Sequence, residues 1–352
     1  MGVKNNWKLE EVKALYDLPV LDLVFKAAGV HRENHDSKQV QISALVSIKT
    51  GGCAEDCSYC PQAARYNTDV NTHKLMQVDE VIDRAKKAKE AGSSRLCMGA
   101  AWREVRDNRD FDRVLEMVRE VNAMDMEVCC TLGMLSDDQA QRLADAGLYA
   151  YNHNIDTSEE HYKEVISTRT FDDRLNTHKS VRKAGVSLCS GGIIGLGETK
   201  DDRLKMILTL ANSEKQPESV PINTLVPVEG TPLENQEKVP VWDLVKMVAI
   251  ARITMPKSAV RLSAGRLELS DEGQAFCFMA GANSIFAGDT LLTTPNPAFD
   301  SDMILFKTLG LESKKAFADG AQPKSKEISG IEAEKSEMVA KVKEWKKEMA
   351  KN

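Results

Sequence analysis

Gln41-Ile42-Ser43-Ala44-Leu45-Val46-Ser47-Ile48-Lys49 runs, after Thr50-Gly51-Gly52, into Cys53-Ala54-Glu55-Asp56-Cys57-Ser58-Tyr59-Cys60. The first of these segments reads as a strand, whose successive side chains face opposite ways. One parity, Ile42, Ala44, Val46 and Ile48, is apolar; the other sets Ser43, Ser47 and Lys49 beside Leu45. Similar short β-rich runs recur at residues 94–99, 126–132, 149–154, 186–194, 219–226, 258–263 and 282–286. Helical patterns lie between them at residues 78–91, 111–124, 136–146, 201–211 and 241–255, and Gly92, Gly147 and Gly185 stand where a helix ends on a glycine. Strands alternating with helices make an α/β protein with a parallel sheet. Eight such units predict a closed (β/α)8 TIM barrel over residues 40–312. Residues 1–39 read as a helical N-terminal extension, and residues 313–352 as a charged linker and a C-terminal helix with an apolar stripe at Val339, Val342, Trp345 and Met349.

The polar parity of the first strand is not isolated. Arg95 pairs with Cys97 in the second strand, Glu127 with Cys129 and Thr131 in the third, and Asn152 with Asn154 and Asp156 in the fourth. Ser187, Cys189 and Gly191 align in the fifth, Asn223 stands in the sixth, and Arg261 with Ser263 in the seventh. An ordinary barrel fills its interior with branched apolar side chains, and inward polar groups are costly unless something binds them. The interior is therefore expected to be a binding chamber. Three inward thiols accompanied by arginines suit an anionic, sulfur-rich metal centre, with isolated buried cysteines as the plainer reading. Cys130, of opposite parity to Cys129, is expected among the helices, though a slip of register would let it compete for metal.

The chain has 352 residues, 42% hydrophobic and 28% charged, with a formal net charge of -6. Phosphate binding needs clustered Lys and Arg, so this composition speaks against nucleic acid and for a small-molecule substrate. No apolar run approaches membrane-spanning length, and the N-terminus has neither signal nor transit character. Gly2 is placed for myristoylation, but Asn6 stands where that motif wants Ser or Thr. The expectation is a cytoplasmic protein with no membrane partner. In the reducing cytosol its eight cysteines point to metal, catalysis or burial rather than to disulfides.

Cys53, Cys57 and Cys60 follow the first strand, where barrel enzymes place functional loops. Structural zinc takes four protein ligands, and the nearest histidine, His73, is remote in sequence. Three thiolates on a four-iron cluster instead leave one iron open to chelate a substrate. This spacing, with Tyr59 before the last cysteine, resembles the signature of the radical S-adenosylmethionine enzymes. Further segments resemble the biotin synthase branch of that family: Arg95-Leu96-Cys97-Met98-Gly99-Ala100-Ala101-Trp102, Tyr151-Asn152-His153-Asn154-Ile155-Asp156-Thr157, Cys189 to Glu198, Val260 to Arg266 and Leu292 to Pro297. The likeness covers roughly residues 10–312.

What the resemblance implies is a TIM-barrel homodimer that inserts sulfur between C6 and C9 of dethiobiotin. Cys53, Cys57 and Cys60 would hold a [4Fe-4S] cluster that binds S-adenosylmethionine. Cys97, Cys129, Cys189 and Arg261 would hold a [2Fe-2S] cluster that gives up its sulfide; arginine as a ligand comes from the resemblance alone, and by itself Arg261 reads as a counter-charge to an anion. Tyr59, Ala100, Asn154, Asp156, Arg174 and Ile193 would contact S-adenosylmethionine, Ile193 at the adenine and Arg174 at the methionine carboxylate. For the substrate, Asn154 and Asn223 would meet the ureido ring, and Thr293 and Thr294 the carboxylate. A reducing electron-transfer protein would be a partner. The glycine-rich segment from Gly191 to Glu198 lacks the spacing of a dinucleotide fingerprint. Another barrel enzyme of the same family with an accessory cluster, or a non-catalytic iron-sulfur or zinc protein, are the competing readings.

Overall fold

A computed structural model describes residues 3–288, 291–294 and 296–326. Two helices, α1 (Leu9–Tyr16) and α2 (Val20–Asn34), precede β1 (Gln39–Lys49), α3 (Val78–Glu90), β2 (Arg95–Ala100), α4 (Arg109–Asn122), β3 (Glu127–Thr131) and α5 (Asp137–Asp145). There follow β4 (Ala150–Asn152), α6 (Glu159–Val165), α7 (Phe171–Lys183), β5 (Ser187–Cys189), β6 (Gly192–Ile194), α8 (Lys200–Ala211) and β7 (Ser219–Thr224). The last turn of the wheel is α9 (Val241–Thr254), β8 (Ala259–Leu262), α10 (Asp271–Met279), β9 (Ser284–Ala287), α11 (Phe299–Leu309) and β10 (Glu312–Ser313).

The sheet is parallel and runs β1-β2-β3-β4-β5-β7-β8-β9, and β9 pairs back onto β1. The chain thus closes the (β/α)8 barrel that the alternating pattern predicts. One expected strand, residues 186–194, is instead two short ones. β5 pairs with β4 and β7, β6 pairs with β7 alone, and Ser190-Gly191 lie between them. The break has a steric cause, since a Cβ at Gly191 would collide with the Pro221 carbonyl. A Cβ at Gly192 would come within 2.5 Å of the Asp156 carbonyl oxygen, so both glycines let this backbone pass close to its neighbours where the strand breaks. The fourth strand also stops earlier than expected, at Asn152, which leaves Asn154 and Asp156 on the loop beyond it.

The helices form where capping and periodicity favour them. Asn108 accepts from the amides of Asp110 and Phe111 at the start of α4, and Ser136, Thr170 and Thr199 cap α5, α7 and α8 in the same way. Their apolar faces cover the outer parity of the strands: Ile48, Leu96, Met98, Val128 and Cys130 pack with α4 and α5 in one half, and Val220, Val260 and Ile285 pack with α8 and α9 in the other. α9 is apolar on nearly every side because α2 covers the face turned away from the barrel. No described helix is long and apolar enough to cross a membrane. The C-terminal helix expected from Val339 to Met349 lies outside the described residues.

Candidate active site

The loop after β1 is tied down before any ligand is considered. Gly51 and Gly52 take left-handed backbone, and a side chain at Gly51 would strike Thr72. The Cys53 amide donates to the Gln62 carbonyl (3.0 Å), and the Ala64 amide to the Cys53 carbonyl (2.8 Å). Asp56 fastens the middle of the loop. One carboxylate oxygen accepts from the Ser167 amide (2.9 Å) and from the amide and hydroxyl of Thr168 (3.1 and 2.8 Å), and the other from Arg65 (3.1 Å) and the Ser167 hydroxyl. Burial opposes that charge, but these bonds outweigh it and hold the carboxyl at about 2. So anchored, Cys53, Cys57 and Cys60 all line one cavity of about 330 Å³. Burial raises all three thiols, Cys57 to about 12 and Cys60 to about 11. Such groups stay protonated at neutral pH unless a cationic centre takes the proton's place.

Deeper in the same barrel the strands bring a second set of thiols together. Cys97 and Cys129 are register partners on β2 and β3, and both line the cavity. The neighbouring Cys129 thiol first, against burial, and then Arg261 and Arg95 favour the charged form of Cys97 and hold its thiol below the ordinary range. Cys189, the partner of Asn152 on β4, receives Asn152 Nδ2 at 3.3 Å and Arg261 Nη1 at 3.9 Å. Arg261 is 1% exposed and held from three sides, by Ser284 Oγ (2.9 Å), Gln41 Oε1 (3.0 Å) and Ser43 Oγ (3.3 Å), over the Phe286 ring. The parity reading therefore selected side chains that do converge. Cys130 points the other way, into the helix-packed core, and its register leaves it no route to the chamber.

The remaining sequence candidates divide by how occupied they already are. Tyr59, Ala100, Asn154, Asp156, Arg174 and Ile193 all line the cavity, as do Asn223, Thr293 and Thr294. Arg174 is buried and committed to protein partners: Nη2 pairs with Asp156 and Nε donates to the Tyr162 hydroxyl (2.9 Å). Asn223 braces two backbones, donating to the Gly192 carbonyl (2.9 Å) and accepting from the Ala264 amide (3.1 Å). Asn154 accepts from the Gly191 amide (3.1 Å). Thr293 and Thr294 sit on a turn closed by Leu291 N to Thr294 O (2.8 Å), and Gly99 makes room for it, since a Cβ there would approach Leu292 to 2.6 Å.

Two wall residues were not singled out from sequence. Arg169 Nη2 lies 3.8 Å from Cys57 Sγ, while its Nε is buried without a partner among the described residues. Glu55 Oε1, also buried, stands 3.7 Å from Arg169 Nη1 and 3.7 Å from Arg103 Nε. Both lie in the cavity lining, and a lone Arg ahead of a helix cap gives no pattern by which to choose it.

Among the described residues no three His, Cys, Asp or Glu side chains converge tightly enough for a single ion. The two thiol sets frame spaces instead. Unpartnered buried donors border both, Arg169 Nε at the outer set and Arg95 Nη1 at the inner. Soft thiolates around a roomy, cation-lined space fit multi-iron clusters better than one hard ion.

A closed parallel barrel with a Cys53, Cys57, Cys60 loop at the mouth of its first strand defines the radical S-adenosylmethionine class, and residues 47–210 match the Radical SAM superfamily. Residues 221–312 match the Biotin and Thiamin Synthesis associated domain. The chain belongs to the biotin synthase family. It is 62% identical over 324 residues to the biotin synthase of Cytophaga hutchinsonii, covering 92% of this chain and 96% of that one. It is 57% identical to the mitochondrial biotin synthase of Arabidopsis thaliana, covering 89% and 83%. In fold alone it resembles methylornithine synthase (TM-score 0.75, 20% identity, 88% and 94% covered) and the FeFe-hydrogenase maturase HydG from Carboxydothermus hydrogenoformans (TM-score 0.77, 19% identity, 89% and 77% covered). Radical SAM enzymes use a [4Fe-4S] cluster and S-adenosylmethionine, and biotin synthases carry a [2Fe-2S] cluster besides.

Proposed function

We propose that this protein inserts sulfur between C6 and C9 of dethiobiotin, drawing the sulfur from within its own barrel. The observation that carries this is the presence of two thiol sets in one barrel: Cys53, Cys57 and Cys60 line the cavity from the loop after β1, Cys97, Cys129 and Arg261 line it from the strands, and Cys189 stands beside Arg261 at 3.9 Å. When bound, the outer cluster supplies the electron that cleaves S-adenosylmethionine and the inner one supplies the sulfur. Cys53, Cys57 and Cys60 would hold the first, and Cys97, Cys129, Cys189 and Arg261 the second.

The chain's own groups then position and enclose. Arg169, close to Cys57 and short of a partner, offers a cation to the methionine carboxylate beside Arg174. Ile193 and Ala100 give apolar surface to the adenine, and Asn154 with Asp156 offers polar contacts to ribose or substrate. Asn223 retains an N–H and a lone pair for the ureido ring, and the Thr293-Thr294 turn, also in the lining, offers hydroxyls to the carboxylate. A 5'-deoxyadenosyl radical attacks almost any C–H bond, so the enclosed wall protects the protein while two C–H bonds, one at C9 and one at C6, are exchanged for two C–S bonds. The family reading adds a homodimer, a reducing electron-transfer protein as partner, and the cytoplasm as its place.

The test is anaerobic incubation of the reconstituted enzyme with dethiobiotin, S-adenosylmethionine and a reductant. Biotin and 5'-deoxyadenosine are expected from the unchanged chain, whereas Cys97→Ala should form 5'-deoxyadenosine without biotin. Normal biotin formation by Cys97→Ala would remove the inner thiols from the sulfur-donor role.

A further inference from the structure

Glu127 has no part in the chemistry above, yet its buried carboxylate gathers four donors from three different parts of the chain. It projects inward from β3 and is 2% exposed. The four donors converge on it. Oε2 accepts from Arg95 Nε (2.8 Å), Arg95 Nη2 (2.7 Å) and Gln41 Nε2 (3.0 Å). Oε1 accepts from the Phe317 backbone amide (2.8 Å).

Each of these bonds fixes something else. Because Gln41 spends its N–H on Glu127, its oxygen must face the other way, where it accepts from Arg261 Nη2 (3.0 Å) and Ser284 Oγ (3.3 Å). Arg261, so turned, points Nη1 at Cys189. Arg95, clamped on one edge, leaves Nη1 buried and unpartnered among the described residues, close to Cys97, Cys129 and Cys189. Its guanidinium lies 5.3 Å from the Tyr149 ring centre, and Phe317 stacks edge-on against that same ring (5.6 Å).

Phe317 belongs to a strap that crosses the end of the barrel opposite the mouth. β10 pairs with the first residues of β1, the Lys314 amide donates to the Val40 carbonyl (2.9 Å), Gln322 Nε2 donates to the Asn122 carbonyl (2.8 Å), and the Lys326 amide donates to the Asp145 carbonyl (2.8 Å). Phe317 itself takes left-handed backbone (φ 57), which turns its amide toward Glu127.

Resting on the reading of the inner thiols as the sulfur site, we propose that Glu127 is a positioning residue for that site. Its carboxylate orients Arg261 through Gln41 and aims Arg95 Nη1 at the group held by Cys97, Cys129 and Cys189, and the strap residue Phe317 holds it in place. Groups that orient metal ligands without touching the metal commonly change its retention by roughly 10- to 100-fold when removed. An amide cannot replace this carboxylate, since in either orientation its NH2 would face a donor.

The experiment uses the full chain with both clusters, in the unchanged form and as Glu127→Gln and Phe317→Ala. Mössbauer and absorption spectra follow each cluster during challenge with an iron chelator. Glu127→Gln is expected to lose the inner cluster roughly 10- to 100-fold faster, with an altered inner-cluster spectrum, while the outer cluster and 5'-deoxyadenosine formation persist. Phe317→Ala should shift the same signal in the same direction by a smaller factor. Inner-cluster lifetime and spectrum unchanged in Glu127→Gln would overturn the inference, as would loss of both clusters together at a lowered unfolding midpoint. No inner-cluster signal in the unchanged chain would instead sink the sulfur-donor reading, and this one with it.

Discussion

Asp156 and Arg174 form an ion pair inside the cavity wall, and Asp156 makes it from left-handed backbone, φ 66. Arg174 keeps its charge although burial opposes it, because Asp156 and then the Tyr162 hydroxyl favour the guanidinium form. The Asp156 carbonyl also receives the Ile193 amide (2.8 Å) and forms the bridge that seats β6. One residue therefore joins a charge, an unusual backbone and the Gly192 bend.

Asp156→Asn and Asp156→Ala should separate these roles. Asn tolerates left-handed backbone and keeps a hydrogen-bonding group, whereas Ala does neither. Both leave Arg174 buried without its counter-charge, a loss of about 3–5 kcal/mol where a partner is removed from a buried pair. The expected order of chemical denaturation midpoints is unchanged chain, then Asn, then Ala. Midpoints of Asn and Ala that coincide would show that the backbone of Asp156 stores no strain.

Arg169 should behave differently from Arg174. Its guanidinium is only loosely engaged by Glu55 and Cys57, at 3.7 and 3.8 Å, so the fold depends little on it. Arg169→Met is expected to retain the outer cluster and its denaturation midpoint but to bind S-adenosylmethionine more weakly. The loss of a charge-assisted bond is about 1.5–3 kcal/mol, roughly 10- to 100-fold in Kd. Equilibrium dialysis against labelled S-adenosylmethionine, on protein with its outer cluster loaded, measures it. Affinity within twofold of the unchanged chain would take Arg169 out of the binding wall.

Cys129 and Cys130 are neighbours with opposite fates. Cys130 is fully buried against the helix side, and burial, with the Cys97 charge second, pushes its thiol far up. Cys130→Ala is expected to cost about 1 kcal/mol as a small buried deletion and to leave iron and sulfide content unchanged. Cys129→Ala should lose the inner cluster's share of both. Loss of iron in Cys130→Ala, measured on anaerobically purified protein, would mean that β3 can slip in register.

These neighbours also show why so much of the site was legible. A strand alternates its faces, so the parity of β1, β2, β3 and β8 alone sends Ser43, Cys97, Cys129 and Arg261 inward and Cys130 outward. The alternation fails where the backbone stops being a strand: residues 186–194 break at Gly191, and Asn154 and Asp156 reach the cavity from a loop. Arg169, Glu55 and Phe317 were invisible for a related reason. Their positions depend on which loop lies against which, and local periodicity carries no record of that. Phe317 is the extreme case, since its link to Glu127 spans 190 residues.

The end of the barrel opposite the mouth should make stability depend on acid. Arg252 is 0% exposed and has no carboxylate partner among the described residues; it donates instead to the carbonyls of Gly281, Pro256 and Ser258 and to Asn283 Oδ1. Its Nη1 lies 2.8 Å from His35 Nε2, and the His31 ring on α2 lies tilted at 5.6 Å from the ring of His35, which follows α2. Burial first and the Arg252 charge second oppose protonation of both rings, taking His31 down to about 3 and His35 to about 4. At His35 the Pro256 carbonyl (2.9 Å) favours the proton, Lys314 opposes it, and Asp319 works weakly for it. In the unfolded chain both titrate near 6.5. Below that pH the unfolded state binds protons that the folded state refuses, so stability is complete above about pH 6.5 and declines as pH falls toward the folded values. The slope is at most about 1.4 kcal/mol per pH unit for each histidine. Urea midpoints at pH 7.5 and 5.0 should therefore differ more in the unchanged chain than in a His31→Leu, His35→Gln variant, whose comparison cancels every other titrating group. Equal differences in the two proteins would show that α2 can leave the barrel end, and its histidines take up protons, without unfolding the rest.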